Sequence, residues 1–254
     1  MGVSLVALLA LGVSPSAFAA HLEVPSSAPA IAYIGAALVL YLHTGGGAVG
    51  LASGVAAAVA RKGGPLHRAA GYTFVVSMGI TYLIGALVAP FLTEGQRPNF
   101  VAGVLALYLL GSGVATARRR QFRAGWAEKA GLAVAFIITA MGITFMVLGA
   151  NSPSGTVDGS PPQAFVLFVV VGVVAVIGEG NALARGQLAA AARTSRHLWR
   201  MCVSFFIASG SLFLGQPQVF PQAFSESIAP LVLAFVPVLV MVVFLVKARV
   251  VRAA

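Results

Sequence analysis

The chain has 254 residues, of which 59% are apolar and 9% charged, with a net charge of +10 and a mean hydropathy of +0.96. A soluble domain carries about a quarter of its residues as Asp, Glu, Lys or Arg, so a soluble globular enzyme is excluded, as are disordered and fibrous chains. What remains is an all-α fold: a polytopic transmembrane helical bundle of seven core helices plus an N-terminal apolar segment.

Residues 1–20 form that apolar segment, read either as a signal peptide or as a first transmembrane helix. Ala17-Phe18-Ala19 is a small-x-small pattern suited to cleavage, but no Lys or Arg precedes the apolar stretch and Ser14-Pro15-Ser16 interrupts it. Residues 21–254 read as a single transmembrane domain. A hydrocarbon core about 30 Å thick needs roughly 20 apolar residues of helix. Runs of that kind lie near 29–60, 69–92, 99–117, 131–150, 164–183, 201–220 and 227–246. The first is too long for one perpendicular crossing and must tilt, protrude or bend, with Gly45, Gly46 and Gly47 as the place for a bend. Pro237 should kink the last helix, because it removes a helical hydrogen bond. The lone Cys202 sits in an apolar run, so no internal disulfide forms.

The connections sort by charge. Arg61, Lys62 and Arg68 follow the first run, and Arg118, Arg119, Arg120, Arg123 and Lys129 follow the third. Arg185, Arg193, Arg196 and Arg200 follow the fifth, and Lys247, Arg249 and Arg252 the seventh. The alternate connections hold only Arg97 among the 16 Lys and Arg, together with Glu23, Glu94, Asp158 and Glu226. This is the positive-inside pattern: seven spans, with the mature N-terminus outside and the C-terminus cytoplasmic. The basic clusters then hold topology and touch the anionic headgroups of the bilayer rather than nucleic acid. Trp126 and Trp199 beside them read as interface anchors.

Four polar residues need a reason. Glu179, in Gly178-Glu179-Gly180-Asn181, is the one acidic residue within a run. Ionisable groups at membrane depth are costly and so are candidate functional sites. It either pairs with a nearby arginine such as Arg185 or Arg200, or serves a ligand or proton. His67, followed by Arg68, opens the second run, and His197 opens the sixth. Two imidazoles at matched depth suit a b-type haem or a transition metal, or simply cap helix ends at the interface. His43 is deeper, with Gly46, Gly47, Gly50 and Gly54 on its face. That face serves close helix packing or leaves room for a flat macrocycle, with Tyr41, Thr44, Met141 and Met146 as partners at that depth. Phosphate loops, Cys-x-x-Cys and His-Glu-x-x-His are absent, and Ser204, Ser209 and Ser211 suggest helix–helix hydrogen bonding rather than a nucleophile.

The stretch His43…Gly50…Gly54…Arg61-Lys62-Gly63…His67-Arg68…Gly71, with Arg196-His197…Arg200-Met201, resembles an uncharacterised family of bacterial multi-pass membrane proteins, over most of residues 29–215. That resemblance implies a bacterial inner-membrane location and brings no activity. A weaker similarity is to cytochrome b561-type haem proteins. It implies axial-ligand roles for His43, His67 and His197, but with no fourth intramembrane histidine it supports at most one bis-histidine site. Three functions are therefore carried forward. The first is a histidine-based site for haem, quinone, metal or another small-molecule ligand, with haem b as the leading cofactor. The second is a small-solute or proton-coupled transporter using Glu179, with Arg68 and Arg200 as further candidates. The third is a non-catalytic sensor or subunit of a membrane complex.

Overall fold

The computed structural model describes residues 29–92 and 94–253, with side chains as far as 247. The segment 1–20, His21 and Glu23 lie outside the described residues. Eight α-helices carry the described chain, joined by short 3-10 turns. Their order is α1 Ala30–Val59, α2 Pro65–Val88, α3 Gln96–Arg118, α4 Trp126–Asn151, α5 Val166–Arg185, α6 Ala190–Phe213, the single turn α7 Gln222–Ser225, and α8 Ala229–Ala253. Two-residue strands β1 Phe122–Arg123 and β2 Gln187–Leu188 pair antiparallel. Among the described residues, six helices are long and apolar enough to cross a membrane.

Six of the seven expected runs overlap a helix whose bounds lie within seven residues of the run at each end. Two departures are informative. α1 runs unbroken through Gly45, Gly46 and Gly47 for 30 residues, about 45 Å of helix, so its excess length is taken up without a break. α6 begins at Ala190 and ends at Phe213, well before the apolar run 201–220 predicts. Its first half holds Arg193, Arg196, His197 and Arg200, which a hydropathy window treats as loop. Pro237 lies inside α8, and the helix continues through it.

The described chain divides into two compact units, one of residues up to 81 with 205–239, the other of 82–204 with the residues from 240 on. In the first unit α1 lies against α2 through its small residues. Gly50 and Gly54 are its buried positions. A β-carbon on Gly50 would come within 2.5 Å of Met78 Cε, and one on Gly54 within 3.0 Å of the Phe74 and Phe205 rings.

The second unit is built mainly from α3, α4, α5 and the part of α6 up to Ser204. Buried positions recur at helical spacing on α4 (Gly131, Ala135, Ile138, Gly142) and α5 (Phe168, Val171, Gly172, Ala175, Glu179, Ala182). The opposite faces present large apolar side chains such as Phe136, Ile137, Val170 and Ile177 to the surroundings. Small and polar inside with bulky apolar outside is the arrangement lipid permits, because close backbone approach replaces a hydrophobic driving force. α5 stops at Gly186, whose φ of +66° is open to glycine, and whose N–H returns to the carbonyls of Ala182 and Leu183.

The connections of this unit gather at two ends. β1 and β2 join the basic segment after α3 to the basic segment after α5. Arg193 reinforces that join by donating to the carbonyls of Arg119 and Arg120. At the start of α4, Glu128 accepts the Gly125 N–H at 2.8 Å and an Arg119 N–H at 2.7 Å. The segment before α3 meets the one after α4: the Gly95 N–H donates to the Asp158 carbonyl, and Arg97 ion-pairs with Asp158. Arg97, the one exception to the charge asymmetry, is thus matched by a carboxylate.

Candidate functional site

The second unit encloses a buried charge centre contributed by four helices. α5 brings Glu179, six residues before its Arg185 end and so about 9 Å in from that end. α6 brings Arg196 and Arg200, four residues apart and so on one face. α3 brings Tyr108, and α4 brings Gly131. Glu179, Arg196 and Arg200 are 1%, 6% and 0% exposed.

The carboxylate takes one guanidinium on each oxygen. Arg196 Nη2 donates to Oε2 at 2.6 Å, and Arg200 Nη2 donates to Oε1 at 2.7 Å. The Tyr108 hydroxyl donates to Oε1 at 2.7 Å. Gly131 makes room, since a β-carbon there would sit 2.8 Å from Glu179 Oε1. The second glycine of interest, Gly113 on α3, abuts Arg200 Cβ and Met201.

The two arginines are not equivalent. Arg196 is fully engaged: Nε donates to Thr116 Oγ1 at 3.2 Å, Nη1 to the Gly178 carbonyl at 3.3 Å, and Nη2 to Glu179. Its guanidinium also lies over Phe122, 5.4 Å from the ring centre. Arg200 places Nη2 on Glu179, with Tyr108 Oη at 3.4 Å, yet its Nε and Nη1 are buried without an acceptor. The flanking aromatic faces are Trp199, 4.8 Å from Cζ, and Tyr108 at 5.9 Å. The centre counts one carboxylate against two guanidiniums. Glu128 adds nothing to this balance, being committed to Arg119.

One turn further along α6, Ser204 continues the polar face. Its carbonyl accepts the Tyr82 hydroxyl at 2.6 Å, and its hydroxyl donates to the Ala106 carbonyl at 3.3 Å. The serine is used as helix–helix glue. Ser209 does the same in the first unit, donating to the Ala234 carbonyl at 2.9 Å.

Of the expected arginine partners of Glu179, Arg200 is the one in place. Arg185 is exposed at the end of α5. Arg68 closes its own loop by donating to the Gly63 carbonyl at 2.8 Å. Arg196 and Tyr108 are the members of the centre that sequence reasoning missed. The signal for Arg196 was present in the i, i+4, i+8 series Arg196, Arg200, Ser204. Nothing in the sequence marks Tyr108.

The three histidines share one habit. His43 Nδ1 lies 3.0 Å from the Thr81 carbonyl, His67 Nδ1 2.9 Å from the Ala57 carbonyl, and His197 Nδ1 3.0 Å from the Gly113 carbonyl. A carbonyl only accepts, so each Nδ1 is the protonated nitrogen and each lone pair sits on Nε2. His43 and His67 stand at opposite ends of α1: the carbonyl that holds His67 lies fourteen residues beyond His43, about 21 Å along the axis. They do not share one iron. The glycine face beside His43 is filled by Thr81 and Met78, so the room expected there for a macrocycle is taken by α2. Among the described residues no three His, Cys, Asp or Glu gather as a metal site.

No family model, curated protein or solved structure matches this chain. The reading of the site therefore stands on its own geometry.

Proposed function

We propose that this is an integral membrane protein that binds a small polar solute at the Glu179–Arg196–Arg200–Tyr108 centre, in the manner of a carrier. The observation that supports it is Arg200: a guanidinium with no exposure and two nitrogens lacking an acceptor. An arginine kept only to neutralise Glu179 would be redundant, because Arg196 already does so with all three nitrogens engaged. Burying unpaired donors costs free energy, and a cost retained at a polar centre suits a binding group. Glu179 serves here as the counter-ion that holds both arginines in place, so we assign it positioning rather than proton carriage.

The cationic connections then face the cytoplasm of a bacterial inner membrane, with anionic headgroups against them. This agrees with the pairing of β1 and β2 on the same end of the second unit.

The test is the unfolding temperature of the purified protein in neutral detergent against a panel of neutral, cationic and anionic solutes. A ligand at a hundred times its dissociation constant stabilises by about 2.7 kcal/mol. A rise with at least one solute, absent in Glu179→Gln, supports the reading. No rise with any class contradicts it.

A second reading rests on the imidazoles, whose Nδ1 contacts are those that orient histidine ligands. Here His67 or His197, each within its own unit, offers Nε2 to haem b or hydrogen-bonds a quinone. Protein expressed with haem supplied should show a Soret band that His67→Ala or His197→Ala removes, and a colourless folded preparation would rule out the haem.

A further inference from the structure

We propose that the ligand of this centre is a small oxyanion, a carboxylate or a phosphate, received by Nε and Nη1 of Arg200. The inference rests on the binding role just assigned to the centre and adds the charge class of what is bound.

Three observations carry it. The first is the unspent charge: Glu179 balances one of its two arginines, and the nearest other buried carboxylate, Glu128, is paired with Arg119. The second is the nature of the vacant groups. Nε and Nη1 of Arg200 are donors only, both buried, and neither has an acceptor. A water would satisfy one N–H but leave the surplus charge in a low-dielectric interior. A cation would add to it. An anionic oxygen satisfies both demands at once, and hydrogen bonds between ionised partners are the stronger kind. The third is the cover. Arg200 is wholly enclosed, but the two aromatic rings on its guanidinium, Trp199 and Tyr108, are only half-buried. Moving the Trp199 ring aside would uncover the guanidinium and leave its one bond to Glu179, from Nη2, in place.

Trp199 is also the reporter. The chain has two tryptophans, so Trp126→Phe leaves Trp199 as the sole indole, 4.8 Å from the Arg200 Cζ. The full-length Trp126→Phe protein is titrated at constant ionic strength with acetate, inorganic phosphate, acetamide and methylammonium. We expect a saturating change in Trp199 emission with acetate or phosphate, none with acetamide or methylammonium, and apparent affinity at least tenfold weaker in Arg200→Lys. That variant keeps the positive charge and removes the guanidinium donors. Arg200→Gln, checked by circular dichroism for helix content, should lose the response outright.

A second arm compares nanodiscs of phosphatidylcholine alone with discs containing phosphatidylglycerol. A change confined to the anionic discs, and dependent on Arg200, makes the anion a lipid headgroup phosphate. A change with free acetate or phosphate in detergent makes it a soluble solute. An Arg200-dependent response to acetamide with none to the anions overturns the oxyanion assignment while leaving a binding centre. Silence toward all four probes and both discs overturns the oxyanion assignment, and the unfolding panel then decides independently whether any solute binds.

Discussion

Arg200 reaches Glu179 from the neighbouring helix with Nη2 2.7 Å from Oε1, while its other two nitrogens face no acceptor. Arg196 meets the other carboxylate oxygen with every nitrogen satisfied. One carboxylate thus organises two cations of different standing, one structural and one uncommitted.

Removing the carboxylate should therefore do the most damage. Glu179→Gln leaves two buried guanidiniums without a counter-charge, and breaking a buried pair from one side costs about 3–5 kcal/mol. Reversible unfolding in mixed micelles should show a loss of that order. Stability within experimental error of the parent would mean that the three side chains are not buried together.

Gly131 sets how closely α4 approaches the centre. In Gly131→Ala the new β-carbon would lie 2.8 Å from Glu179 Oε1 and 3.1 Å from Cδ, so the carboxylate must withdraw from its partners. Overpacking of this kind costs about 1–3 kcal/mol. Glu179→Asp in the same chain shortens the side chain by one carbon and should recover part of the loss. Two independent, additive losses would show that Gly131 and Glu179 do not touch.

The first unit offers a contrast between two helical glycines. Gly50→Ala would bring a β-carbon within 2.7 Å of Met78 Cγ, whereas nothing lies within 4 Å of the same position on Gly71. The first change should destabilise by about 1–3 kcal/mol and be relieved by Met78→Val. The second should be neutral or stabilise by up to about 1 kcal/mol, since alanine is the better helix former. Equal effects at both sites would contradict the packing of α1 on α2.

Much of the helical layout was legible because lipid imposes length and apolarity on each span. α1, α2, α3, α4, α5 and α8 fall near their apolar runs for that reason. α6 was displaced toward residue 220 because a hydropathy sum counts Arg196 and Arg200 as interfacial, whatever they face. Those arginines are inside, and the price of putting them there is met by Glu179. Glu179 itself stood out as the sole carboxylate within a run, and Arg200 was legible as its partner. Arg196 shared a helical face with Arg200 and Ser204 and could have been read from that spacing, but Tyr108 and Gly131 could not, since which helices neighbour α5 is a property of packing that composition does not encode. The histidines stood out by their depth in the sequence, which did not show that each imidazole places its Nδ1 on a backbone carbonyl.

At the start of α4, Glu128 holds the Gly125 N–H with one oxygen and Arg119 with the other. Glu128→Ala should cost about 1 kcal/mol for the lost cap alone, and speed amide exchange in the first turn of α4. Glu128→Gln keeps an acceptor for Gly125 and should retain most of that protection. Unchanged exchange in Glu128→Ala would show that the turn is held by other contacts.

The most direct measurement is the ligand-free stability of Arg200→Met beside Arg196→Met. If Arg200 is held for a ligand, its removal deletes two unsatisfied donors and leaves a neutral Glu179–Arg196 pair, so stability should change by no more than about 1 kcal/mol. Arg196→Met, which breaks three hydrogen bonds, should lose several times as much. Equal, large losses would show that Arg200 is as structural as Arg196, and the account of an uncommitted cation would be wrong.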